Sequence, residues 1–188
     1  MNSKSYVAFI LLFLGLFLTS CNDKNINTSK AYSTIEGYLN EKPIYESNNF
    51  QIGKMRLKTT KDKELITFYK QLENDGYISF EEETAKKKWL SKDSIWNVTL
   101  KMTEKSHPFV LSQKNDRVKV KTVVYRLDKN SNVQIENNGK KTATANVMLN
   151  KEFTPFAFLY KDKTPNTKFI TKKFRLKYSE ENGWKVTN

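Results

Sequence analysis

The spacing of apolar residues predicts an α+β fold, with a short helical first half followed by an antiparallel β-meander. Residues 61–74 place apolar side chains three and four positions apart, which is the spacing of one helix face. From Ile95 onward apolar and polar side chains alternate, as in a strand with one buried face. Asn138-Gly139 and Asn182-Gly183 are hairpin signals in the second half.

Two helices are predicted in the first half. The first covers residues 31–40 and is closed by Pro43. The second covers residues 61–74; Thr60 is expected to cap it, and Gly76 to end it in a left-handed conformation. The predicted buried face of the second helix consists of Leu65, Ile66, Tyr69 and Leu72, with Phe68 beside them.

The other segments of the first half are predicted as strands and a charged run. A strand is expected over residues 49–58, with a bulge at Gly53, because the apolar face changes there. A short strand is expected over residues 77–80. In the run 81–88, a helical conformation would place opposite charges four residues apart, pairing Glu82 with Lys86 and Glu83 with Lys87.

The sequence of the second half predicts consecutive antiparallel strands. They are expected over residues 117–127, 141–149 and 168–178, with a weaker strand at 133–135. The last of the long strands places Ile170, Phe174, Leu176 and Tyr178 on one side, with Trp184 and Val186 opposite them.

The N-terminus has the three parts of a secretory signal. Lys4 precedes an apolar run over residues 6–18, and small residues follow before Cys21. At about 1.5 Å per residue the run spans roughly 20 Å, short of the roughly 30 Å hydrocarbon core. Leu18-Thr19-Ser20-Cys21 resembles a bacterial lipobox, which implies cleavage before Cys21 and lipidation of that residue. A signal anchor and an ordinary cleaved signal are the alternatives.

This reading divides the chain into a signal peptide (1–20), a polar tether (21–30), an α+β subdomain (31–111) and an antiparallel β subdomain (112–188). Removing the signal leaves 168 of the 188 residues, enough for one ordinary domain or two small ones. The two subdomains either share one core or fold around separate ones.

The chain is strongly basic, and Cys21 is its only cysteine. The formal charge of +13 becomes +12 without Lys4. Such a charge favours an anionic surface nearby, such as phospholipid headgroups, lipopolysaccharide or an acidic partner; a solvated Lys-rich surface is the alternative. A lipidated Cys21 leaves no thiol for a disulfide, a nucleophile or a metal site.

Part of the first half resembles the winged-helix transcription regulators. The similarity covers residues 60–105 and consists of Leu72-Glu73-Asn74-Asp75-Gly76-Tyr77-Ile78, Val98-Thr99-Leu100 and Thr103-Glu104-Lys105. It implies a winged-helix-like topology with lysines facing phosphate. Because an exported protein has no operator to bind, no nucleic-acid partner is expected. As a whole, the lipobox, tether and α+β body are similar to those of small lipoproteins of Gram-negative cell envelopes.

No catalytic residue, metal ligand or cofactor is predicted. His107 is the only histidine, and the local sequence offers no nucleophile elbow for it. Residues 128–139 begin like a calcium loop but lack the glycine and the bidentate glutamate that such a loop needs. The carboxylates of Glu81–Glu83 and Glu180-Glu181 are interpreted as solvated charge.

The segment 153–160 is the candidate binding site, with Phe153, Phe156, Phe158 and Tyr160 as its residues. Four aromatic side chains and a proline lie where a polar connection between strands would be ordinary. Such a segment either folds back to fill the core or presents an apolar surface to a partner or ligand.

The leading hypothesis is a lipid-anchored, non-catalytic envelope protein that binds a partner through this aromatic segment and a basic surface. Its expected partners are the membrane, through Cys21, and an envelope protein or anionic envelope polymer. The second hypothesis is an enzyme acting on an envelope polymer through carboxylates. The third, a DNA-binding module, requires the signal assignment to be wrong.

Overall fold

A computed structural model describes residues 25–87, 93–130, 133–161 and 167–187. The signal run and Cys21 lie outside these residues. Within the described ranges, no helix has both the length and the apolar character needed to cross a membrane. In chain order the elements are α1 (Thr28–Glu41), β1 (Ile44–Gln51), β2 (Gly53–Lys58), α2 (Lys63–Asn74), β3 (Ile78–Lys87), β4 (Ser94–Met102), a 3₁₀ helix (Glu104–Phe109), β5 (Val110–Lys114), β6 (Arg117–Leu127), β7 (Gln134–Gly139), β8 (Thr142–Phe153), a second 3₁₀ helix (Ala157–Leu159), β9 (Phe169–Ser179) and β10 (Gly183–Thr187).

Seven of these strands form one curled antiparallel sheet that resembles half of a barrel. Its path is β1-β6-β8-β9-β10, with β5 also paired to β6 and β7 also paired to β8. The register of β1 against β6 skips Thr122, between Lys121 and Val123. Such a bulge bends a strand and increases its twist, which accounts for part of the curl.

Helix α1 covers one face of this sheet, which we call the inner face. Asn27 caps the helix, its side-chain oxygen accepting a hydrogen bond of 2.8 Å from the Lys30 backbone N–H. The helix packs mainly against β10, with further contacts to β6 and β7. The first core cluster lies between α1 and the sheet, and its largest fully buried residues are Ile35, Val123, Val147, Leu149 and Leu176.

A second core cluster lies around α2 and a separate three-stranded sheet of order β2-β4-β3. The helix contributes Phe68, Tyr69 and Leu72. Strand β4 contributes Trp96, Val98 and Leu100, and the N-terminal part of β6 contributes Val118 and Val120. Strand β6 therefore supplies side chains to both clusters.

The predicted α+β class, with its helical, winged-helix-like first half, is wrong. The molecule is mostly β, and its largest element is the half-barrel sheet. The element before α2 is strand β2, which is paired to β4, so the described residues contain no helix-turn-helix at this position. The run 72–78, on which the resemblance was based, does form the turn that follows a helix. Gly76 ends α2 there with a φ of +76°. The motif cannot specify what precedes that helix.

The single strand predicted over 49–58 is two strands in two different sheets. Strand β1 pairs with β6, whereas β2 pairs with β4. Ile52 and Gly53 lie at the junction of the two strands, and Gly53 has a φ of +78°. The change of apolar face at this glycine therefore marks a passage between sheets rather than a bulge.

The helical pairing predicted for the run 81–88 is also wrong, because residues 78–87 form strand β3. Glu83 instead accepts a hydrogen bond of 2.7 Å from the indole N–H of Trp96, and Glu82 accepts one of 3.3 Å from the Thr99 hydroxyl. Pairing with β4 thus decides the conformation of a segment that has no apolar alternation of its own.

Several boundaries differ from those predicted. Helix α2 begins after Asp62 rather than Thr60, and the Asp62 carboxylate accepts a hydrogen bond from the Lys58 backbone N–H. The folded body begins inside the range 21–30 that was predicted as a tether, because Ile26 is buried in the first cluster. The predicted domain boundary at 112 falls within β5.

The strands with clear alternation are confirmed. Strand β4 buries Trp96, Val98 and Leu100 as predicted, and β6 and β8 lie where strands were expected. Across the β9–β10 hairpin, Trp184 lies opposite Tyr178 and Val186 opposite Leu176.

Candidate functional site

The aromatic segment leaves the end of β8 and is held down by a threonine. The Thr154 hydroxyl donates a hydrogen bond of 2.6 Å to the Lys121 carbonyl, and the Thr154 backbone N–H donates one of 3.1 Å to the Thr122 carbonyl. The next residue is Pro155, which has no N–H and is suited to a turn. The chain therefore turns across β6 immediately after β8 ends.

Phe156 fills the second core cluster. Its side chain is completely buried, and its ring lies edge-on to Phe50 with 5.2 Å between centroids. Tyr77 and Phe109 lie within 6.4 Å and 6.2 Å of the same ring. The core-filling interpretation of the segment thus holds for this residue, and Phe156 has no surface with which to contact a partner.

Phe158 points the other way and is 50% exposed. Its ring stacks on Phe68 of α2, with 4.7 Å between centroids and an interplanar angle of 21°. The turn that carries it is fixed to β1, because the Asn48 amide donates a hydrogen bond of 2.7 Å to the Leu159 carbonyl. The ring is therefore exposed and at the same time held in place.

Phe153 and Tyr160 form a second aromatic contact at the two ends of the segment. Phe153 is 64% exposed and lies 6.2 Å from the Tyr160 ring, which is partly buried. Phe153 is opposite Val123 in the β6–β8 register, so it extends the inner face beyond the core. Lys151 Nζ lies 5.7 Å from the centroid of Tyr160.

Polar groups surround this second contact. The Tyr125 hydroxyl donates a long hydrogen bond of 3.5 Å to Glu46 Oε1. Burial, a hydrogen bond with Tyr160 and the negative charge of Glu46 raise the pKa of the Tyr125 phenol well above its ordinary value. The phenol is therefore neutral and can act as a hydrogen-bond donor. Apolar rings beside a few fixed polar groups are typical of a ligand-binding surface.

Tyr125, Glu46 and Lys151 are neighbours of the aromatic segment that were not predicted from the sequence. Lys151 and Phe153 continue the inner-face alternation of β8, so this signal was present in the sequence. The position of Glu46 depends on the pairing of β1 with β6, which no local pattern indicates.

The other groups considered for chemistry lie on other elements of the chain than the aromatic segment. His107 is exposed on the first 3₁₀ helix. Asp128 accepts a hydrogen bond of 3.0 Å from the Asn130 backbone N–H, and this contact is typical of a polar turn. In the part of the chain that the structure describes, no three histidine, cysteine, aspartate or glutamate residues are grouped so that they could hold a metal ion.

Comparisons with known proteins give no match: no family model fits the chain, and no curated protein or solved structure is found to be similar to it. The function of the protein is therefore inferred from its residues and their geometry.

Proposed function

We propose that this protein is a lipid-anchored component of the bacterial cell envelope and that it binds a partner through the exposed aromatic side chains Phe153 and Phe158. The anchor is the lipidated Cys21 that the lipobox-like sequence Leu18–Cys21 predicts. The role is binding rather than catalysis. The partner is an envelope protein or an anionic envelope polymer.

The observation that carries this proposal is the contrast between Phe156 and its two neighbours in the segment. Phe156 fixes the segment to the core, while Phe153 and Phe158 remain 64% and 50% exposed. Aromatic side chains bury about 150–250 Å² each when they become enclosed. Because the stack on Phe68 and the hydrogen bond from Asn48 already hold Phe158, binding would cost little additional side-chain entropy.

The anchor is tested by the substitution Cys21→Ser in the full chain. The unaltered protein is expected to fractionate with membranes and to carry the added mass of acyl chains. The variant is expected to lose that mass and the membrane association it provides. Unchanged mass and fractionation, with no fatty acid in either protein, would remove the lipoprotein assignment.

The binding surface is tested by placing a photo-crosslinking amino acid at residue 158 of the full-length protein in intact cells. A discrete crosslinked product is expected there, and the additional substitution Phe153→Ser should weaken it. The control position is Lys54, which is exposed on β2. Equal products at 54 and 158, or none at 158, would contradict the proposed surface.

A further inference from the structure

We infer that the outer face of strands β9 and β10 binds the anionic headgroups of the membrane to which the chain is anchored. This inference rests on the proposed function, because it requires the lipid anchor to hold the body next to a bilayer. It deepens that function by assigning a second surface, separate from the aromatic segment, and a ligand class.

Three cations alternate with core residues along β9. Lys173, Arg175 and Lys177 are exposed, whereas Phe174 and Leu176 between them are buried. In the adjacent strand, Lys185 is exposed and lies directly opposite Lys177. We call these four residues, Lys173, Arg175, Lys177 and Lys185, the basic stripe.

The protein itself neutralises little of this charge. Within the described residues, Lys173 has the only ion pair of the stripe, at 3.9 Å from Glu136, and both side chains are more than half exposed. Such pairs contribute little in water. Lys185 is hydrogen-bonded to the neutral amide of Asn182 at 2.9 Å. Like charges directly opposite one another destabilise a sheet, and an external anionic surface would relieve that repulsion.

An exposed aromatic ring continues the stripe. Phe169 lies on the same alternation of β9 and is 46% exposed. It precedes Lys173 by four positions, or about 13 Å along the strand. Proteins that lie on a membrane surface combine apolar rings that enter the headgroup boundary with cations that meet the anionic lipids. This combination favours a lipid surface over a soluble polyanion.

The short tether keeps the body close to the bilayer. Because Ile26 is buried in the core, the chain from Cys21 to the body spans about 17 Å even when fully extended, at roughly 3.3–3.6 Å per residue. Helix α1, which follows at once, packs mainly against the inner face of β10, and Lys185 lies on the opposite face of the same strand. At the high effective concentration that a tether of this length produces, weak contacts are sufficient for binding.

The test measures binding of the unlipidated body, residues 22–188, to vesicles. This chain retains every residue of both core clusters. The probes are vesicles that contain phosphatidylglycerol, vesicles of phosphatidylcholine alone, and soluble polyphosphate. The body is expected to bind the phosphatidylglycerol vesicles in a salt-sensitive manner. Removing two charges with Arg175→Gln and Lys177→Gln should weaken that binding roughly 25-fold, at about fivefold per residue near an anionic surface.

The matched control is the double substitution Lys54→Gln and Arg56→Gln. It also removes one lysine and one arginine two positions apart on exposed strand positions, but in the three-stranded sheet. Because screening limits the effect of charges distant from the contact, a loss of about twofold or less is expected. Should the Arg175/Lys177 variant fail to fold, Lys185→Gln alone provides the test, with an expected loss of about fivefold.

Equal losses in the two double variants would overturn the inference, because they would show a dependence on net charge alone. Equal binding to both kinds of vesicle would overturn it as well, and so would an effect confined to polyphosphate. The vesicle measurement does not require lipid on Cys21, and the fractionation of Cys21→Ser does not require the stripe. Failure of this inference is therefore distinguishable from failure of the lipoprotein assignment.

Discussion

At the scale of single residues, the second core cluster depends on aromatic side chains from distant parts of the chain. Phe50 of β1 makes edge-on contacts with Phe68 and Tyr69 of α2 and with Phe156 of the aromatic segment. Aromatic pairs of this geometry contribute about 0.5–1.5 kcal/mol beyond the area they bury. Truncating one of the central rings should therefore affect the whole cluster.

Phe156→Ala should lower the free energy of unfolding by about 3–5 kcal/mol, because it removes a completely buried ring and leaves a cavity. Phe158→Ala is the matched control within the same segment. Its ring is half exposed, so a loss of about 1 kcal/mol is expected. Urea unfolding followed by circular dichroism measures both values. Similar losses for the two variants would contradict the different roles assigned to these rings.

The ionisation of Tyr69 should lower the free energy of unfolding at alkaline pH. Burial raises the pKa of this phenol from 10.0 to about 12. The folded state therefore holds the Tyr69 proton more tightly than the unfolded state does. The stability linked to this proton is fully present below pH 10 and is lost as the pH rises towards about 12. The size of that loss is about 2–3 kcal/mol.

The variant Tyr69→Phe retains the ring and removes the titrating group. Between pH 10 and about 12 its stability should therefore fall less steeply than that of the unaltered protein. Urea unfolding at a series of pH values measures the difference. Parallel curves over this range would show that Tyr69 ionises equally in the folded and unfolded states.

At the scale of elements, the passage from β1 to β2 depends on one glycine. A Cβ atom at residue 53 would lie 3.0 Å from the Asp116 carboxylate, in a backbone conformation with φ of +78°. L-residues pay roughly 1–2 kcal/mol in this region. The glycine therefore allows consecutive strands to enter two different sheets.

Gly53→Ala should destabilise the protein by about 1–2 kcal/mol. Gly37→Ala makes the same chemical change inside α1, where a Cβ meets nothing within 4 Å. That control should stabilise the protein by about 0.5–1 kcal/mol, because alanine favours the helix. Thermal unfolding of the two variants should shift in opposite directions; shifts of the same sign would refute the argument.

Local patterns predicted those elements whose own residues decide their structure. Strands β4 and β9 alternate clearly, and α2 has an apolar face and a glycine stop. The run in β3 has no such pattern, and its partner β4 decides its conformation. The half-barrel could not be predicted, because it depends on the pairing of β1 with β6 across some 70 residues of chain.

The candidate site follows the same rule. The four aromatic residues of the segment can be recognised in the sequence. Their spacing does not indicate which of them is buried and which is exposed. Phe156 is buried and Phe158 is exposed because Thr154 and Asn48 fix the turn between them. The basic stripe, by contrast, was readable as an alternation of cations and apolar residues in the predicted strand 168–178.

At the scale of the whole molecule, strand β6 joins the two core clusters. Its residues Val118 and Val120 belong to the second cluster, while Val123 and Tyr125 belong to the first. Small domains usually unfold in a single cooperative transition. Because successive parts of β6 belong to different clusters, the two clusters should unfold together.

The two clusters contain one described tryptophan each, Trp184 in the first and Trp96 in the second. A chain with Trp89→Phe and Trp96→Phe reports only on the first cluster through its fluorescence. Adding Leu100→Ala, a truncation of a fully buried residue in the second cluster, should reduce stability by about 2–5 kcal/mol. Because the clusters share β6, the midpoint of the Trp184 transition should move to lower urea by that free energy divided by the m value. It should also coincide with the midpoint of the circular dichroism transition. A Trp184 transition that stays in place while the dichroism curve divides into two steps would show that the clusters unfold independently.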